Sequence, residues 1–156
     1  MFLPVARAKR KDTGTWESGY YVQLYNDAGR QSHRIYTGYA ESEPGEAGDR
    51  DFYPEWFEVD PATVSLFSGA SDKRGVKIFE GDIVLFDYLM QSPVCSVRWD
   101  DSICQMVLQD ANGKEYNLLR EIQPGPAPME IRYEIIGNIF DSPNLMGGGN
   151  NERAVD

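Results

Sequence analysis

Short runs of apolar or alternating residues, separated by tight polar turns, dominate this chain. That period-2 pattern predicts strands rather than helices. One turn pattern occurs three times, as Asn26-Asp27-Ala28-Gly29, Asp72-Lys73-Arg74-Gly75 and Asp110-Ala111-Asn112-Gly113. In each, the first side chain can cap the turn while the closing glycine takes a positive φ, which predicts three-residue hairpin loops ending in a bulge. At the third, a loop of Ala111, Asn112 and Gly113 sets Leu108 opposite Tyr116 and Met106 opposite Leu118. A loop from Asp100 to Ile103 then sets Trp99 opposite Cys104, Val97 opposite Met106 and Cys95 opposite Leu108. The result is a meander from about Val94 to Leu119. Upstream, the unbroken apolar run Ile83-Val84-Leu85-Phe86 predicts a strand buried on both faces.

Helix is expected only briefly. Asp60 can cap and Pro61 suits the first helical position, giving at most two turns over Ala62 to Phe67 before Gly69; Ser142-Pro143 repeats the start signal. The stretch from Ala40 to Asp51, poor in apolar residues, and Gln123 to Pro128, rich in proline, are expected to be surface loops. The fold class is therefore mostly β with minor α: an N-terminal β-meander, then a small, partly open, SH3-like barrel, with one or two short helices. The expected division is a hairpin region over 1–58, a barrel-like region over 59–146 and a disordered tail over 147–156, in one compact domain or two subdomains.

The chain has 156 residues, 41% of them hydrophobic, with 3 Trp, 9 Tyr and 7 Phe, enough to fill a core. Its 25 acids against 15 bases give a formal charge of −10. Nucleic acid is disfavoured as a partner, because phosphate neutralisation dominates such binding. The one basic run, Arg7, Lys9, Arg10 and Lys11, is expected to be a solvated strand end and turn. No apolar stretch is long enough to cross a bilayer, and the opening residues are too short for a signal peptide, so a cytoplasmic location is expected. Cys95 and Cys104 are too few for a disulfide framework and lack metal spacing, and both are expected to be reduced core residues.

Candidate chemistry is sparse. Glu80-Gly81-Asp82 could hold a metal or exchange a proton, but the segment enters a buried strand, where glycine permits a bulge and the acids can bond nearby backbone. Asp100-Asp101 cannot easily converge on one ion, since adjacent strand residues point to opposite faces. Asp110 to Gly113 begins like a calcium loop, yet its glycine comes too early and the bidentate glutamate is missing. His33 is the single histidine, and no catalytic signature surrounds either cysteine. Neither a nucleotide-binding nor a hydrolase motif occurs. No catalytic residue, metal or cofactor is expected.

Several segments occur in a specific order: Val59-Asp60-Pro61-Ala62-Thr63-Val64, Phe67-Ser68-Gly69, Asp72-Lys73-Arg74-Gly75 and Ile78-Phe79-Glu80-Gly81-Asp82-Ile83-Val84. With Trp16 to Tyr20 near the start and Ile135 to Leu145 near the end, they resemble the YopX-like family of phage and prophage proteins across nearly the whole chain. The chain departs from the family at Ala6, where phenylalanine is common. The resemblance implies a phage or prophage origin and a bacterial cytoplasm, but brings no agreed activity. The signature residues Asp60, Pro61, Gly69, Asp72, Gly75, Glu80, Gly81, Asp82, Gly137, Asn138 and Pro143 are expected to be architectural.

Between Glu41 and Asp60, eight carboxylates stand against Arg50 alone, interleaved with Phe52, Tyr53, Trp56 and Phe57. The candidate interaction residues are Glu41, Glu43, Glu46, Asp49, Asp51, Tyr53, Trp56 and Glu58. Two readings stand open: a solvated loop beside core aromatics, or a docking surface for a basic host protein. The leading expectation is a non-enzymatic accessory protein acting through contacts with a host or phage protein. The alternatives are a nucleic-acid-binding module using the basic strand, and an enzyme with a carboxylate site at Glu80 and Asp82. Open strand edges predict a homo-oligomer.

Overall fold

The structure, a computed structural model, describes residues 5–44, 48–87, 92–118 and 132–147. The Gln123–Pro128 connector and the tail beyond Gly147 lie outside them. The described residues are mostly β: β1 Val5–Lys9, β2 Trp16–Tyr25, β3 Gln31–Glu41, β4 Phe52–Glu58, β5 Ser65–Ser71, β6 Lys77–Phe79, β7 Asp82–Asp87, β8 Val94–Asp100, β9 Gln105–Asp110, β10 Glu115–Asn117 and β11 Arg132–Asn138. Pro61–Thr63 and Pro143–Gly147 form short 3-10 turns. No helix of the described residues is long and apolar enough to cross a membrane.

The chain divides into two compact units between Leu66 and Phe67, within β5. In the first, antiparallel strands run in the order β4-β3-β2-β1, and Ser65 and Leu66 pair with Arg7 and Ala6 on β1. Its buried cluster is Ala6, Ala8, Ile35 and Val59. In the second, β10-β9-β8-β7-β11 forms a sheet that curls into a partly open barrel. Its cluster holds Ile78, Val84, Phe86, Cys95, Val97, Met106, Leu108, Leu118 and Tyr133. Ile83, Val84 and Phe86 are all buried, so central β7 is covered on both faces, as its unbroken apolar run predicts.

The three recurrent turns share one geometry. Asn26 Oδ1 accepts the N–H groups of Ala28 and Arg30 at 3.1 and 2.8 Å. Asp72 Oδ1 does the same for Arg74 and Val76 at 2.8 and 2.9 Å, and Asp110 Oδ1 for Asn112 and Lys114 at 2.9 and 3.0 Å. Gly29, Gly75 and Gly113 close them at φ +72, +81 and +80, where a side chain would be strained. Tyr116 stands opposite Leu108 as expected; the β9–β10 ladder ends at Asn117 opposite Val107, and Met106 and Leu118 meet in the core beyond it.

Four expectations need correction. The β8–β9 register lies two residues from the expected one: Trp99 pairs with Met106, Val97 with Leu108 and Cys95 with Asp110. The inward faces survive, since strand side chains alternate with period two. The loop is Asp101 to Cys104, and Cys104 is an exposed turn residue at φ +52 rather than a core residue. Cys95 is buried, and burial, with a smaller push from the Asp110 charge, raises its thiol to about 12. The helix expected over Ala62 to Phe67 stops at Thr63. Thr63 Oγ1 accepts the Lys9 N–H at 2.9 Å, and the extended Val64 (ψ +122) sends the chain into β5. Finally, the loop expected from Ala40 is narrower, because β3 continues to Glu41 and Ser42 N–H bonds Asp51 O at 2.8 Å.

Candidate interaction surface

In the first unit, strand pairings are staggered. β2 pairs with β1 through Trp16 to Tyr20, then with β3 through Tyr20 to Tyr25. Gly19 sits where β2 changes partner, so close to β3 that a Cβ would lie 2.1 Å from Tyr36 O. β3 pairs with β4 from Arg34 opposite Glu58 to Glu41 opposite Phe52, with a bulge between Tyr36 and Gly38. From Gly38 to Glu41, β3 therefore pairs with β4 alone among the described strands. This outer stretch is a two-stranded ribbon.

The sequence explains why the ribbon stays open. Opposite Tyr53 and Glu55 stand only Ala40 and Gly38, too small to build an enclosing layer. On the other face, Trp56, Pro54 and Phe52 alternate along β4, with Tyr36, Tyr39 and Glu41 opposite them. Tyr39 is 77% exposed, Phe52 66% and Tyr53 52%.

Cations occupy the rings nearer the base. The Arg34 guanidinium lies 3.6 Å from the centre of the Trp56 ring and that of Arg10 3.9 Å from Phe57. Lys11 Nζ pairs with Glu58 Oε1 at 2.6 Å, and this ammonium holds the Glu58 carboxyl below its ordinary range. Arg50 pairs with Glu41 at 2.6 Å, and Thr37 donates to Glu55 at 3.0 Å. Glu43, Asp49 and Asp51 have no ion pair among the described residues. Thus Glu41, Asp51, Tyr53, Trp56 and Glu58 share the hairpin, Glu43 and Asp49 flank its tip, and Glu46 lies outside the described residues. The bare sequence missed Tyr39, which joins the surface because it stands opposite Pro54. Plain alternation from Ile35 would put Tyr39 on the buried face; the bulge between Tyr36 and Gly38 turns it to the side of Tyr36 and Trp56.

The basic run is engaged within its own unit. Arg7 and Lys9 lie over Trp16, at 4.7 and 5.4 Å from the ring centre, and Arg10 chelates Asp12 through Nε and Nη2. That guanidinium holds the Asp12 carboxyl down at about 2. His33 is half-buried with Nδ1 2.5 Å from Tyr21 Oη, whose hydroxyl is held above its ordinary value by burial and by the Tyr25 charge.

The remaining signature residues shape the backbone. Asp60 Oδ1 caps the turn opened by Pro61, accepting Ala62 N–H at 3.0 Å, and Gly69 lies within β5 at φ +88. Buried Asp82 accepts Phe79 N–H at 2.8 Å, whereas Glu80 is half-exposed, so the two carboxylates differ in surroundings. A Cβ on Gly81 would meet Phe140 at 2.9 Å, and one on Gly137 would meet Leu145 at 2.7 Å. Asn138 Oδ1 accepts from the Phe140 and Asp141 N–H groups at 3.0 and 2.9 Å, just before the turn that begins at Pro143. Gly75 closes the Asp72 turn. Burial opposes the Asp72 charge, but bonds from the Val76 and Arg74 N–H groups and the Arg74 guanidinium outweigh it, holding the carboxyl below its ordinary value. Among the described residues, no three His, Cys, Asp or Glu side chains gather into a metal site.

The family model described as YopX protein matches residues 7–147. Among solved structures, the crystal structure of protein EF1440 from Enterococcus faecalis is similar in fold, with a TM-score of 0.51 and 19% identity, covering 94% of this chain and 99% of that one. No curated protein matches the chain.

Proposed function

The chain belongs to the YopX protein family, and from that premise we propose that it is a non-enzymatic, phage- or prophage-encoded accessory protein. It works in the bacterial cytoplasm by binding a host or phage protein through the outer sheet of its first unit. One observation carries this reading: large apolar side chains on β2, β3 and β4 stand in solvent, with Tyr20, Leu24, Tyr25, Tyr39, Phe52, Tyr53 and Trp56 all exposed. Apolar rings in one region, rimmed by charge, are the surface chemistry of protein recognition. The phage origin rests on the family resemblance. The nucleic-acid reading draws no comparable support, because the cations of the basic run lie against rings or carboxylates of their own unit.

Affinity capture from bacterial cells tests the reading, with the parent chain and Tyr39→Ala/Phe52→Ala as bait. A protein retained by the parent and lost by the variant is the expected result. Retention of nothing, or of the same protein by both baits, would count against it.

A further inference from the structure

We propose that the outer half of the β3–β4 hairpin is an arm that docks by its faces onto a lysine- and arginine-bearing polypeptide. Its rings hold the cationic side chains and its carboxylates supply the countercharge. The inference rests on the protein-contact reading above and gives the partner a chemistry.

The arm itself calls for a partner. Between Gly38 and Glu41 it is two strands wide, and a two-stranded ribbon is marginal in water unless something packs against it. Its rings nonetheless face solvent on both sides: Tyr39 and Phe52 on one, Tyr53 on the other.

Charge selects the occupant. Among the described residues, the arm and its flanks carry Glu41, Glu43, Asp49, Asp51 and Glu55 against Arg50 alone. Two arms laid together would oppose like charges, which disfavours a second copy in that arrangement. A cationic segment meets complementary charge and ring faces together. The same sheet displays this chemistry at its base, where Arg34 lies on Trp56 and Arg10 on Phe57. Farther out along that ladder, Tyr39, Phe52 and Tyr53 carry no cation among the described residues. The inner rings are occupied by the chain's own cations, and the outer rings are open to another chain's.

The edge of the arm is blunted. Ser42 N–H bonds Asp51 O, which sets the alternation of bonded and non-bonded pairs and places Tyr39–Pro54 among the non-bonded ones. An amide at position 54 would point away from β3, and proline has none. Lys11 N–H already bonds Glu58 O at 3.0 Å near the base of the same strand. Strand addition along β4 thus lacks a central donor, and the faces remain for docking.

Fluorescence anisotropy of a labelled synthetic peptide of alternating arginine and serine, with the full chain at roughly 150 mM salt, tests the proposal. The parent is expected to bind. Tyr39→Ala/Phe52→Ala, which leaves net charge unchanged and replaces exposed side chains, is expected to weaken binding by about tenfold. Asp27→Asn/Asp101→Asn, which removes two carboxylates outside the arm, is expected to change it less than about twofold. No binding by the parent, or losses that track net charge rather than the rings, would overturn the proposal. So would sedimentation of the parent as a dimer that the ring variant dissociates, since the occupant is then a second copy. If the peptide fails while the ring variant still loses its captured cellular protein, this inference falls and the protein-contact reading stands.

Discussion

The two units use the same turn chemistry and reach opposite results. Asn26 and Gly29 close a hairpin in the first with the bonds that Asp110 and Gly113 use in the second. Yet among the described residues the hydrophobic cluster of the second holds nine buried side chains, including Phe86, Leu108 and Tyr133, and that of the first four, Ala6, Ala8, Ile35 and Val59. Turns therefore set register without deciding whether a sheet closes over a core. The side chains on the inner face decide that. On β1 they are alanines, while on β7 to β9 they are mostly larger, Val84, Phe86, Val97, Met106 and Leu108 among them. Where the inner face is thin, the large residues stand outside, and the first unit becomes a surface more than a container.

The largest expected effect is that of Gly19→Ala, about 3 kcal/mol or more, because its Cβ would meet the immovable Tyr36 backbone. Hydrogen exchange should show the β2 and β3 amides losing protection. Unchanged protection there would mean that the first unit adapts more freely than its stagger implies. Next, Leu108→Ala should cost about 2 to 5 kcal/mol, with Ile35→Ala toward the low end of that range, since a thin core collapses more easily around a deletion. Denaturant midpoints measure both, and equal costs would break the contrast between the cores. Gly29→Ala and Gly113→Ala should each cost about 1 to 2 kcal/mol for holding alanine at positive φ. Similar values confirm that the turn is local, and unequal ones that its unit matters.

The smallest effect separates the units by pH. Asp72 opens its turn as a carboxylate, whereas Asn26 holds the same place in the first unit. Because the folded Asp72 value lies below that of the unfolded chain, about 3.9, its stabilisation is present above that pH and is lost as pH falls through the folded value. Asp72→Asn should cost about 1 kcal/mol at neutral pH. The difference from the parent should vanish in acid, as followed by thermal melts. A difference that persists in acid would mean that shape rather than charge distinguishes the two turns.

Legibility follows the range of the interactions. The Asn26, Asp72 and Asp110 turns could be read because their donors and acceptors lie within four residues. The Asp101–Cys104 loop misled because a cysteine fills the left-handed position where glycine is the usual signal. The Pro61 helix was overestimated because its end depends on Lys9, distant in sequence. The acidic and aromatic composition of the candidate surface was visible, but its form was not. The arm exists because β2 and β3 part beyond Tyr20 and Tyr36, β2 pairing onward with β1 and Tyr39 only toward β4, and no local pattern encodes where a strand changes partner. Tyr39 was missed and Trp56 found for that reason.

The pairing of β11 with β7 has a consequence for the time course of folding. Each hairpin can close through a turn of a few residues, but Val84 meets Ile135 only after the whole stretch between them has been brought round. Loop-closure entropy grows with that separation, and contacts between distant segments slow folding more than contacts across a turn. The hairpin of β8 and β9 can thus be present while one side of β7 is still unpaired. The barrel of the second unit is therefore expected to be completed last along the Arg132–Asn138 seam, and substitutions there should act mainly on the rate of unfolding.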